Sequence, residues 1–93
     1  MFISYGTGGA EALDILHKKL KNKYSSLNVS ISEYASNKLT DFIYTDDIYH
    51  LIDNYKPSLV INERSNGLEY QNQITRYCKE KNIKKYLFVR LFR

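Results

Sequence analysis

The sequence predicts an α/β domain built on a mostly parallel sheet, and three observations predict it. Short apolar runs at residues 2–5, 27–34, 41–45, 58–62 and 84–92 have the length and composition of strands. Between them lie segments whose apolar residues recur at helical spacing, and strands alternating with helices of about 10 to 15 residues make right-handed βαβ units. A glycine turn, Gly6-Thr7-Gly8-Gly9, stands where the first run gives way to the first helical pattern. Together these describe a small Rossmann-like three-layer domain of four to five strands and about three helices, with strand order 3-2-1-4-5.

Each element follows from its own pattern. Phe2-Ile3-Ser4-Tyr5 is a short apolar run stopped by glycine, and from Gly9 the residues Ala10, Leu13, Leu16 or His17 and Leu20 mark a helix face. Ser25-Ser26 ends that helix. Residues 27–34 alternate, with Leu27, Val29, Ile31 and Glu33 on one face, so the second strand is expected to end near Glu33. Residues 41–45 make a short third strand, then Thr45 or Asp46 caps a helix carrying Ile48, Leu51, Ile52 and Tyr55, which Pro57 closes. Ser58-Leu59-Val60-Ile61-Asn62 reads as a strand buried on both faces. Ser65-Asn66-Gly67 turns into a helix over residues 68–82 with Tyr70, Ile74, Tyr77, Cys78 and Lys81 on one side, and residues 84–92 form the last strand. No repeat, linker or low-complexity tract interrupts residues 1–93, which are read as one domain.

Composition narrows the setting. At 93 residues and 43% apolar content the chain has material for one core. A core of that size stabilises modestly, so a homo-oligomer or a larger protein partner is a fair expectation. Cys78 is the one cysteine, which excludes an internal disulfide and suits a reducing, cytoplasmic compartment. No apolar run approaches the ~20 residues that cross a bilayer, and the first residues lack the pattern of a signal peptide, so no membrane is expected as partner. The net charge of +4 comes from lysines spread over helix-like segments, the pattern of solvated faces, so nucleic acid is not expected either.

In an open parallel sheet, ligands bind beyond the carboxyl ends of the strands. The glycine turn is the first candidate: Gly6, Thr7, Gly8 and Gly9 let the backbone approach a diphosphate at a helix amino terminus. The spacing reads as G-x-x-G-x-x-A through Gly6, Gly9 and Ala12. Read as G-x-G-x-x-G it fails, because Glu11 falls on the third position, where a carboxylate repels phosphate. The alternative is that the glycines serve only the turn. Glu33 lies where dinucleotide sites place an acid for the ribose hydroxyls, with Lys38 nearby for a 2′-phosphate, and an exposed strand-end glutamate is its plain alternative. Arg64, Asn66 and Gly67 precede a helix start and form a second anion-binding candidate, or an ordinary capped turn. His17 and His50 have no companion at metal spacing, so no metal is predicted, and Cys78 is read as core.

These residues resemble the extended short-chain dehydrogenase/reductases, the nucleotide-sugar epimerases and dTDP-4-dehydrorhamnose reductases especially. The resemblance runs through Gly6-x-x-Gly9-x-x-Ala12, through residues 46–62 ending in Lys56-Pro57-Ser58-Leu59-Val60-Ile61-Asn62, and through residues 77–85. It implies an NAD(P)-binding half, with Gly6, Gly9 and Glu33 at the dinucleotide and Asn62 beside it. The sequence departs from that family at Glu63-Arg64, where small residues usually follow the strand, and at Arg90-Leu91-Phe92-Arg93, where a catalytic Ser or Thr belongs. The family's Tyr-x-x-x-Lys helix has no counterpart; the spacings Tyr34 to Lys38 and Tyr77 to Lys81 are what nine tyrosines give by chance.

The functional expectation is therefore a nucleotide- or dinucleotide-binding protein, taking NAD(P) or another nucleotide, without a complete catalytic half. The alternative is a non-enzymatic interaction or structural module whose glycine loop is empty. A small enzyme using Glu33, Glu63 or Glu69 is the third reading. No set of acid, base and nucleophile can be assembled, so catalytic residues stay unassigned and the chain leans away from an enzyme.

Overall fold

A computed structural model describes residues 1–63 and 68–88. Along the chain run β1 (Phe2–Ser4), α1 (Thr7–Leu20), β2 (Asn28–Ser30), α2 (Glu33–Ser36), β3 (Ile43–Tyr44), α3 (Ile48–Tyr55), β4 (Leu59–Glu63), α4 (Leu68–Glu80) and β5 (Lys84–Phe88). The five strands form one sheet in the order β3-β2-β1-β4-β5, and every pairing is parallel. The α/β class, the parallel sheet and the 3-2-1-4-5 order are as the periodicity predicts.

Among the described residues four helices stand where about three are expected. The addition, α2, occupies the end of the segment read as second strand. Ser32 is the cause: its hydroxyl donates to the Tyr5 carbonyl and accepts from the Ala35 amide at 3.1 Å, capping a helix in place of continuing a ladder. Glu33 is consequently the first residue of α2 and exposed, not the end of a strand. Smaller shifts have the same kind of origin. Helix α1 starts at Thr7 rather than Gly9, with Gly6 as an extended N-cap. Asp47, not Thr45 or Asp46, caps α3 by accepting from the His50 amide at 3.1 Å. Lys56 ends α3 in the left-handed region at φ 52, and Pro57 follows it. Strand β4 runs one residue past Asn62, to Glu63.

Neighbouring residues of a strand face opposite ways, which sorts the helices into two layers. Asn28 meets Asp14 of α1, and Ser30 meets Ser36 of α2, whereas Val29 packs with Ile48 and Ile52 of α3 and Ile74 and Cys78 of α4. Ile3 and Val60 complete the larger core on that second face. Ala10, Ala35 and Leu39 form a smaller cluster between α1 and α2, against Phe42. Cys78 is fully buried, as its place on the apolar stripe predicts, and His17 is buried edge-on to the Phe2 ring at 5.6 Å. Among the described residues no helix is long and apolar enough to cross a membrane.

Candidate ligand-binding edge

The glycine turn sits at the carboxyl end of β1, between β2 and β4, where the connections to α1 and α2 leave the sheet. That is the position at which an open parallel sheet receives a ligand. Helix α1 opens there with no side-chain cap and no acidic residue in its first turn, so its positive end has no compensating charge of its own.

The compensating charge comes from β4. Glu63, 1% exposed, turns its carboxylate onto the turn, and Oε1 accepts from the backbone amides of both Tyr5 and Gly6. Two peptide amides converging on one anionic oxygen beside a helix amino terminus is the arrangement by which such turns hold phosphate. Here the anion belongs to the chain. Gly9 admits it: a methyl group on Gly9 would overlap Glu63 Oε2 and lie 2.7 Å from Glu63 Cβ. Burial pushes the Glu63 carboxyl above its ordinary value, and the Tyr5 and Gly6 amides offset part of that rise by favouring the charged form.

The neighbouring groups are likewise engaged. The Tyr5 carbonyl accepts from Ser32. Glu11, the residue that spoils the G-x-G-x-x-G spacing, forms an ion pair with Lys38 at 3.4 Å, so the lysine expected near a 2′-phosphate meets a carboxylate on α1. Glu33 is exposed at the start of α2. Asn62 lies on the opposite face of the sheet from Glu63, by the alternation along β4, and its Nδ2 donates to the Ile3 carbonyl at 3.0 Å. Its Oδ1, buried with no hydrogen-bond partner among the described residues, is on that same far face. The structure therefore gathers Gly6, Gly9 and Glu63 into one site and leaves Asn62 outside it. Arg64, Asn66 and Gly67, the second anion candidate, lie outside the described residues.

A dinucleotide does not fit these residues as they stand. Its diphosphate needs the amides that Glu63 holds and would meet a carboxylate at close range in a buried setting, where like charges repel strongly. Nor do the three acids of the enzymatic reading share an environment: Glu63 is buried, whereas Glu33 and Glu69 are exposed. Among the described residues no three His, Cys, Asp or Glu side chains come together as metal ligands would.

Sequence reasoning missed the partnership of Glu63 with the glycine turn, and also the role of Ser32. A signal was present. An acidic residue directly after a fully apolar strand, in a sheet where that strand neighbours the first, sits within reach of the first turn. No family model, curated protein or solved structure matches this chain, so its functional reading rests on its own geometry.

Proposed function

We propose that this chain is a non-enzymatic protein-interaction module which keeps the Rossmann-like layout and fills its own phosphate cradle. One observation carries the reading: the Glu63 carboxylate, buried on the Tyr5 and Gly6 amides, occupies the position a nucleotide phosphate would take. The expected empty loop is thus a plugged one. A plugged cradle stabilises the turn without a ligand and leaves the surfaces of the sheet and helices to serve contacts. Exposed aromatic and aliphatic side chains, Tyr34, Ile43, Tyr44, Tyr86 and Leu87 among them, support a role in contacts with other proteins. An intracellular location goes with this reading, supported by the free, buried Cys78.

The nucleotide-binding reading requires Glu63 to leave its site, which strips two amides of their acceptor. Thermal unfolding with millimolar NAD, NADP, ATP and nucleotide sugars separates the two. The module reading expects an unchanged transition with every ligand. A ligand-dependent rise in melting temperature of the wild-type chain, lost in Gly9→Val, overturns it.

A further inference from the structure

Strand β3 stands at the end of the sheet beside β2, and both of its residues face solvent: Ile43 is 41% exposed and Tyr44 58%. The register sets Ile43 next to buried Val29 and Tyr44 next to buried Ser30, so an exposed apolar side chain marks each face of the sheet at this edge. The backbone has a direction as well. The Thr45 amide donates to the Ser30 carbonyl at 3.0 Å, so Ile43 and Thr45 turn their peptide groups toward β2. Tyr44, between them, turns its own amide and carbonyl outward. Such groups are a template on which another strand can pair, and proteins often guard them with lysine or proline. From Leu39 to Tyr55 the sequence has neither. Because β3 pairs with β2 at two residues, an added strand would be held by side-chain and charge contacts as much as by its ladder.

The charge at this edge is opposite to that of the chain. The net charge is +4, yet residues 39–55 carry Asp41, Asp46, Asp47 and Asp53 and no lysine or arginine. Three of these aspartates flank β3 in the chain itself: Asp41 two residues before Ile43, Asp46 and Asp47 directly after Thr45. Asp47 caps α3, whereas Asp41 and Asp46 are exposed and form no ion pair among the described residues. Pairing of β3 with the β3 of a second copy would bring the aspartates of one against those of the other, and the phosphates of a nucleic acid or a membrane would be repelled in the same way. The complementary occupant is an extended peptide segment with an apolar middle and basic residues on its flanks.

We propose that the β3 edge receives an extended segment of a partner protein, which pairs with the outward amide and carbonyl of Tyr44, packs on the Ile43 and Tyr44 side chains, and sets its lysines or arginines against Asp41 and Asp46. The proposal rests on the interaction-module reading and adds the surface and the chemistry of the partner.

The test is a titration of the full, isotope-labelled chain, followed by its amide resonances, with a synthetic peptide of alternating Val and Thr flanked by two Lys at each end. One control has Glu in place of every Lys; another keeps the Lys but is N-methylated at alternate residues, which blocks the ladder on one side. The expected result is a saturable shift at Ile43, Tyr44 and Thr45 with the first peptide, together with slowed hydrogen exchange of the Tyr44 amide. The affinity should fall roughly tenfold at high salt, and again in the Asp41→Lys/Asp46→Lys variant. Those aspartates are exposed, so the variant should keep the wild-type melting temperature. Absence of a shift at millimolar peptide, or an equal response to the Glu-flanked or the N-methylated peptide, overturns the proposal. So does sedimentation showing self-association through this edge, which would make a second copy the occupant. Shifts centred on Tyr86 and Leu87 would overturn the proposal while the module reading stands. In the same spectra, nucleotide shifts confined to Gly6–Gly9 would count against the module reading instead.

Discussion

At the scale of single residues, Gly9 and Glu63 define each other. Glycine is required at position 9 because the Glu63 side chain fills the space a Cβ would take, so Gly9→Ala should cost about 1–3 kcal/mol as an overpacked site. The cost should vanish in a Glu63→Gly background and persist in part with Glu63→Ala, whose Cβ is still 2.7 Å from the added methyl. Urea unfolding of the double-mutant cycle measures this, and additive effects would show that the two residues do not meet. Titration gives a second handle. Because burial raises the Glu63 pKa, the folded chain retains a proton that the unfolded chain has released. The resulting stability is complete below the ordinary value of 4.5 and is lost as pH rises through the folded pKa. Glu63→Gln accepts from the same amides without titrating, so the fall in stability over that window should disappear; an identical pH profile in both proteins would refute it. The glycines of this site are legible in the sequence, and the residue that fills it is not. Periodicity places Glu63 directly after a strand, but its contact with Gly9 spans most of the chain and depends on β4 lying beside β1.

At the scale of elements, the sheet was readable because each strand and helix carries its own period, and parallel units leave few orders to choose from. What escaped is local. Helix α2 replaces the end of a strand because one hydroxyl, that of Ser32, captures both a carbonyl of the neighbouring turn and an amide of its own. The α1 layer is held to the sheet in a similar polar fashion. Asp14, 4% exposed, accepts from Asn28 Nδ2 at 3.3 Å, from the Thr40 amide at 3.2 Å and from the Thr40 hydroxyl, joining α1 to β2 and to the segment after α2. Burial opposes its ionisation, yet the Thr40 groups and Lys18 together hold its carboxyl below the ordinary value. Asp14→Ala orphans the buried Asn28 side-chain amide, a loss of roughly 1–3 kcal/mol, and leaves the amide of the exposed Thr40 to water. Lys18→Ala removes only an exposed i, i+4 partner and should cost less than about 0.5 kcal/mol. Equal midpoints for the two variants in urea would mean that the buried network contributes nothing beyond the surface pair.

At the scale of the whole molecule, the larger core joins both ends of the described chain. Met1 and Ile3 at the start pack with Ile74 and Cys78 near the end, around Val29 and Val60 of the central strands. Opening α4 therefore exposes the middle of the sheet, and the fold should yield as one unit rather than lose its last helix first. Cys78 reports on this directly. Its thiol is fully buried, and burial pushes its pKa up, with Lys85 acting weakly the other way, so it is both inaccessible and poorly nucleophilic in the native state. Reaction with a thiol reagent should wait on global unfolding. For a small domain of about 5 kcal/mol stability, labelling would be slowed on the order of 10³–10⁴-fold relative to the unfolded chain. Under fast opening and closing, the logarithm of the labelling rate should then rise with urea along the same slope as the equilibrium unfolding curve. A labelling rate that stays flat in urea until the transition begins would mean that α4 frays alone and does not share one cooperative core with the central strands.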